Sequence, residues 1–231
     1  ISEESLKKLE RIVEEEMLTP EEIRDNLEVT EKGRIRQFIQ NCKYVLEHDP
    51  CLRGAVCRNE MTCQIDIKKK VPWKRRGVQM TDTDMNNLSL YLEKNYGLTS
   101  DRVIAKAIDI VANDNSFHPI IDLLESLKWD GRPRIAGMLT HFFGAEDPEY
   151  SGEVMKMHML AAISRLYEPG KKYDIMLCLV GGQGTGKSTF FKYLAIKDEW
   201  FTDDVKRLDD KKVYEYLQGH WIVEMSEMNA V

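Results

Sequence analysis

Apolar positions recur along this chain with two different periods, and the changes of period mark its elements. In SEESLKKLERIVEEEM, Leu6, Leu9, Ile12 and Val13 fall on one helical stripe behind capping signals at Ser2 and Ser5. Thr19-Pro20-Glu21-Glu22 predicts a second short helix with proline in its first turn, and the polar stretch from Glu31 to Gly33 ends this arm. From Arg34 to Leu46, Ile35, Phe38, Ile39, Cys42, Val45 and Leu46 keep helical spacing until Asp49-Pro50 stops it. GAVCRNEMTCQIDI alternates instead, which predicts two short strands joined by a turn at Arg58 to Glu60.

Residues 82–128 read as helices over Thr83–Tyr96, Ser100–Asn113 and a third after His118-Pro119, each opened by a capping residue and closed by glycine, asparagine or the Trp129-Asp130-Gly131 turn. A further helix runs from about Tyr150 to Tyr167 and ends at Pro169-Gly170. Ile175 to Val180 has no polar face, as expected of a strand covered on both sides in a parallel sheet. Three regions follow: an acidic helical arm over 1–33, a mainly helical region with a basic hairpin over 34–170, and an α/β core from 171 to 231.

Composition changes this picture in two places. The net charge of −6 is the sum of −6 over residues 1–33 (11 acids, 5 bases), +7 over 34–80 (4 and 11) and −7 over 81–231 (24 and 17). Any polyanion footprint is therefore local. The five cysteines, at 42, 51, 57, 63 and 178, match neither a zinc pair nor a secreted scaffold, and predict reduced, mostly buried thiols. No apolar run is long enough for a membrane span, so a cytoplasmic chain without a membrane partner is expected. The first residue, Ile1, suggests a piece of a longer protein.

Gly181-Gly182-Gln183-Gly184-Thr185-Gly186-Lys187-Ser188 fits the eight-position phosphate loop and lies between the strand signal and the helix-like STFFKYLAI. Its glycines let backbone N–H groups curl around phosphate oxygens, and the following helix aims its positive end at them. Lys187 supplies a mobile charge for the terminal phosphates, Ser188 a hydroxyl for Mg²⁺, and Thr189 a secondary contact. ATP and Mg²⁺ are the cofactors this pattern predicts.

Trp221-Ile222-Val223-Glu224 reads as a short strand ending in a carboxylate, 37 residues after Lys187, with Glu227 three positions on. Glu224 is the expected metal-side acid, and Glu227 a residue to orient or deprotonate the attacking water. Both reach one nucleotide only if the strand ends near Glu224. The basic block Lys68, Lys69, Lys70, Lys74, Arg75 and Arg76 surrounds Trp73, a combination suited to phosphate contacts with one stacking surface for a single-stranded base, or to a solvated face.

With both motifs in hand the sequence resembles the virulence-associated protein E family, proteins of phages and other mobile elements that are similar to superfamily 3 helicases. The resemblance rests on Asn59-Glu60, Pro72-Trp73, Asn115-Ser116-Phe117-His118-Pro119, Trp129-Asp130-Gly131, Arg165, Pro169-Gly170, the phosphate loop, and Gly219-His220-Trp221-Ile222-Val223-Glu224 with Glu227. It implies a phosphate-loop NTPase core with a parallel sheet, of AAA+ or superfamily 3 helicase type. It also implies ATPase activity, a DNA partner that is single-stranded or a replication origin, a homo-oligomer in the full-length protein, a primase beside it, and a bacterial host cell. Met225 stands where many such ATPases carry a second acid. The family's core continues beyond the acidic strand into an arginine-bearing segment, so the expectation is a core cut short that binds ATP and turns it over near background. A regulatory module that binds nucleotide or a protein without hydrolysis, and a small-molecule kinase, are the other classes the loop admits. His118 and Trp129 are expected to serve turns and packing.

Overall fold

Closed capping boxes start the elements the sequence announces most clearly. The computed structural model describes residues 17–204, 214 and 217–225, so the helix expected over 2–16 lies outside the described residues. The Thr19 hydroxyl accepts from the Glu22 backbone and the Glu22 carboxylate accepts from Thr19 N–H, which opens α1 (Pro20–Asp25). The same exchange between Thr81 and Asp84 opens α3 (Asp82–Tyr96). Between them lie α2 (Ile39–His48), β1 (Val56–Asn59) and β2 (Gln64–Ile67), and α4 (Asp101–Asp114) follows.

The chain divides into two compact units, one running through Phe117 and the other from His118. In the first, Ile23, Val45, Leu46, Leu52, Leu88, Leu92, Tyr96, Ile104 and Ile108 belong to one buried cluster drawn from each of the described helices α1 to α4. Asp49 is fully buried where α2 ends. Its carboxylate accepts the backbone N–H groups of Cys51 (2.8 Å) and Leu52 (3.0 Å) and the hydroxyls of Tyr91 (3.0 Å) and Tyr96, so the charge is satisfied and α2 is tied to α3. Burial and the Asp49 charge hold both tyrosines well above the ordinary phenol range.

Helix α2 begins five residues later than its apolar spacing predicts. Residues 28–36 are used by a small antiparallel turn, with Val29 bridged to Ile35 and Arg36 N–H donating to Glu28 O (2.9 Å), so tertiary pairing overrides helical periodicity there. Strands β1 and β2 pair antiparallel with Val56 opposite Ile67, and their turn falls at 60–63. Phe117 adds a bridge beside Asn59, its N–H donating to Arg58 O (2.9 Å) while its carbonyl accepts from Glu60 N–H (3.0 Å).

The second unit holds α5 (Pro119–Ser126), a 3₁₀ turn (Ile135–Gly137), α6 (Met138–Phe143), α7 (Pro148–Tyr167), α8 (Lys187–Leu194), β3 (Phe201–Thr202) and β4 (Ile222–Val223). Its core is Leu139, Met155 and Phe190, with Phe143 edge-on to Phe190 at 5.2 Å. A Cβ at Gly152 would stand 2.9 Å from Ala136 O, so the approach of α7 to the 3₁₀ turn admits no larger residue.

The protein is thus mixed α/β, with small sheets of two strands each, β1–β2 antiparallel and β3–β4 parallel. The strand expected over Ile175–Val180 differs: the segment has no ladder partner among the described residues, and Val180 is 98 % exposed. A covered strand needs hydrogen-bonded neighbours as well as an apolar sequence, and the parallel pairing described here is taken up by β3 and β4 with each other. All five cysteines are free, but only Cys42 and Cys57 are buried, the Cys42 thiol pushed up to about 12 by burial; Cys51, Cys63 and Cys178 are exposed, against expectation. Among the described residues no helix is long and apolar enough to cross a membrane, and no group of three or more His, Cys, Asp or Glu is placed to hold a metal ion.

Candidate nucleotide site

The phosphate loop runs into α8 with Gly184 and Gly186 at φ +79° and +85°, a backbone that side-chain-bearing residues rarely adopt. A Cβ on either would meet nothing within 4 Å, so the loop's outer face is open to a ligand. Lys187 folds back onto the loop: its Nζ donates to Gly181 O (3.0 Å), Gly182 O (2.7 Å) and Thr185 Oγ1 (3.2 Å), and Thr185 in turn donates to Gly182 O (3.0 Å). The ammonium thus sits within the loop's curl, where a phosphate would compete for it.

Ser188, in the first turn of α8, donates to Glu224 Oε1 at 2.6 Å. Glu224 follows the last residue of β4, and its own N–H donates to Thr202 O at 2.8 Å, which fixes the carboxylate at the strand's end. Glu224 Oε2 is buried and has no hydrogen-bond partner among the described residues. A hydroxyl and a carboxylate in contact, with a second carboxylate oxygen unsatisfied, are the hard oxygen donors that suit Mg²⁺. Strand β4 is held further by Trp221, whose N–H donates to Trp200 O (2.8 Å) and whose indole donates to Ala162 O on α7 (3.4 Å).

These residues border one cleft of about 1170 Å³. Gln183 to Thr189 and Glu224 lie along it together with Arg165, Met225 and the 175–180 run. Arg165 Nε donates to Lys171 O (3.0 Å). His158 of α7 also lines the cleft, its Nε2 buried without a partner among the described residues and its imidazole pKa shifted down by burial. Sequence reasoning passed over His158; the signal was one polar residue inside the apolar run MHMLAAI. Glu227 lies outside the described residues.

The basic segment is distributed rather than gathered. Arg75 is absorbed by the fold, donating to the carbonyls of Ile67, Gly77, Val78 and Gln79 and to Asp84 Oδ1. Trp73 packs on the first unit's core and donates its indole N–H to Asp84 Oδ1 at 2.9 Å. Lys68 lies over the Phe117 ring and Lys69 donates to Arg53 O (2.7 Å). Lys70, Lys74 and Arg76 are exposed.

Two motif pairs acquire structural partners. Ser116 Oγ donates to Glu60 Oε1 (2.7 Å) beside the Phe117 bridge, so Asn59-Glu60 and Ser116-Phe117 form one contact, and His118 Nδ1 accepts from Ile121 N–H at the start of α5 (3.4 Å). Trp129 does not pack: it is 81 % exposed, against the packing role expected for it. Residues 124–231 match the virulence-associated protein E-like domain. No curated protein matches the chain.

Proposed function

We propose, from the match of residues 124–231 to the virulence-associated protein E-like domain, that the chain is a phage- or mobile-element-associated protein of that family and that the cleft is the Mg²⁺–ATP site of a helicase-like DNA replication ATPase. The observation that carries the reading is the Ser188–Glu224 contact, which joins the phosphate loop to a strand-end carboxylate whose second oxygen is buried without a partner among the described residues. Backbone N–H groups from Gly182 to Ser188 receive the phosphates, and Lys187 leaves its three loop acceptors for them. Ser188 and Glu224 hold the metal, which neutralises charge on the phosphates when bound. Glu227 orients the attacking water in this reading. In this reading the parallel β3–β4 pair belongs to a phosphate-loop core. DNA is the proposed partner, with a homo-oligomer and an accompanying primase in the bacterial cytoplasm.

Calorimetric titration of Mg²⁺–ATP into the 231-residue chain tests the site. Binding that disappears with EDTA and weakens in Lys187→Ala is expected; equal affinity in both proteins rejects it. Glu224→Gln should retain ATP but lose the Mg²⁺ dependence of its binding, since one metal-side oxygen becomes an amide.

A further inference from the structure

The loop joining α5 to the 3₁₀ turn, Leu127-Lys128-Trp129-Asp130-Gly131-Arg132-Pro133-Arg134-Ile135, has no role in the nucleotide cleft, and every residue in it is exposed. The chain has four tryptophans, and the fold consumes three. Trp73 is tied to Asp84, Trp200 is buried under Lys197, and Trp221 donates to Ala162 O. Trp129 alone among them offers most of its indole to solvent, at 81 % exposure.

This exposure is built rather than incidental. Asp130 accepts a two-pronged ion pair from Arg134, Nη1 at 2.9 Å and Nη2 at 2.6 Å, and also the Arg132 N–H at 3.1 Å. Those bonds from Arg134 and Arg132 hold the Asp130 carboxyl at about 2, well below the usual range. Gly131 at φ +80° makes the tight turn that they close, and Pro133 stiffens its exit. With Asp130 neutralised by Arg134, the loop's remaining charge is that of two bases, Lys128 and Arg132, one on each side of Trp129 in the sequence.

We propose that the loop from Leu127 to Ile135 binds single-stranded nucleic acid, with one unpaired base stacked on Trp129 and the adjoining phosphates met by Lys128 and Arg132. A flat π-face between cations suits a strand whose bases are free to splay out, and base-on-indole stacking tolerates any sequence. A duplex keeps its bases stacked on each other and offers this loop no face of its own. The segment around Trp73, where sequence alone sets the same chemistry, has its indole and its best-placed arginine tied to Asp84. The inference shares the polynucleotide partner of the proposed function but not its nucleotide site, so either can fail without the other.

The test is fluorescence-anisotropy titration of the full chain, without nucleotide, against a labelled oligo-dT of about twenty bases. Trp129→Ala should weaken binding about 5- to 100-fold, the range set by loss of one stacked base, while Trp129→Phe keeps most of it. Replacing Lys128 and Arg132 by Gln together should flatten the salt slope by about 1.4, at about 0.7 for each single-strand phosphate contact. Trp129→Ala should melt at the parent's temperature and bind Mg²⁺–ATP as the parent does, which separates a lost contact from a lost fold. No binding of oligo-dT by the parent, or equal affinity in Trp129→Ala, overturns the proposal. So does a Trp129-dependent competition by poly-glutamate as strong as that of oligo-dT, which would assign the loop to an acidic protein.

Discussion

The two units spend their apolar residues differently. In the first, the cluster from Ile23 to Val111 is sealed, and even its polar interior is satisfied, with Asp49 and Asp84 each accepting several donors. In the second, the core described is Leu139, Met155 and Phe190, while Phe142, Ile175, Met176, Val180 and Trp129 face solvent. Polar groups follow the same division: among the described residues, the buried side-chain atoms without partners, His158 Nε2 and Glu224 Oε2, lie in the second unit. The first unit holds the larger described core with its buried polar groups bonded, whereas the second holds buried atoms that a ligand would complete. Burial and readiness to bind are alternatives for the same side chains.

The sharpest break in that contrast would come from its core. Leu92 is fully buried, so Leu92→Ala should cost about 2 to 5 kcal/mol in urea unfolding. A cost well under 1 kcal/mol would mean that the first unit is not sealed as described.

Next in size is the ligand side. Lys187→Ala should reduce Mg²⁺–ATP binding by about 1 to 3 kcal/mol, the scale of a charge-assisted contact, with little change in unfolding. A stability loss without an affinity loss would make Lys187 part of the packing instead.

The two low-pKa aspartates then separate the units by pH. Burial acts to raise the Asp84 carboxyl, but the bonds from Trp73, Thr81 and Arg75 outweigh it and hold the group at about 2, below its unfolded value of 3.8. A depressed carboxyl contributes stability that is complete above the unfolded value and lost as pH falls toward the folded one. Acid should therefore remove about 1 to 2 kcal/mol between about pH 4 and pH 2, and Asp84→Asn should abolish that loss. Asp130 is held equally low but is exposed, so carboxyl NMR should find both groups near 2 while Asp130→Asn leaves the melting temperature almost unmoved.

The smallest effect belongs to the exposed ring of Phe142, where Phe142→Ala should shift unfolding by under about 0.5 kcal/mol. A core-sized loss would show that this ring is covered in solution.

What could be read from the sequence was local. The proline in the first turn of α1 and the left-handed glycine ending α3 each specify an element boundary with no help from elsewhere. Strand β4 and its terminal Glu224 were also visible, because a short apolar run before an acid is a local pattern. What failed depended on partners outside the element being read. The late start of α2 reflects pairing with residues 28–30, and the ties of Trp73 and Arg75 require Asp84 on another element. Ile175–Val180 carries the composition of a covered strand, but composition does not supply a neighbouring ladder. The turn at Trp129-Asp130-Gly131 was legible, but the packing expected of its tryptophan was not met, because bonds from Arg134 and Arg132 to Asp130 close the turn with the indole outside.

Glu224 shows where selection must act if this cleft is used. Among the described residues its Oε2 is shut away from water with no donor to accept from, an arrangement that disfavours the folded state until a partner arrives. Methionine or leucine at this position would relieve the penalty and leave β4 and its pairing with β3 intact. A lineage that no longer needed the ligand would therefore find easy substitutions here, each making the protein sturdier. Retention of the acid among relatives would then record use, because on thermodynamic grounds alone the position should drift toward hydrocarbon.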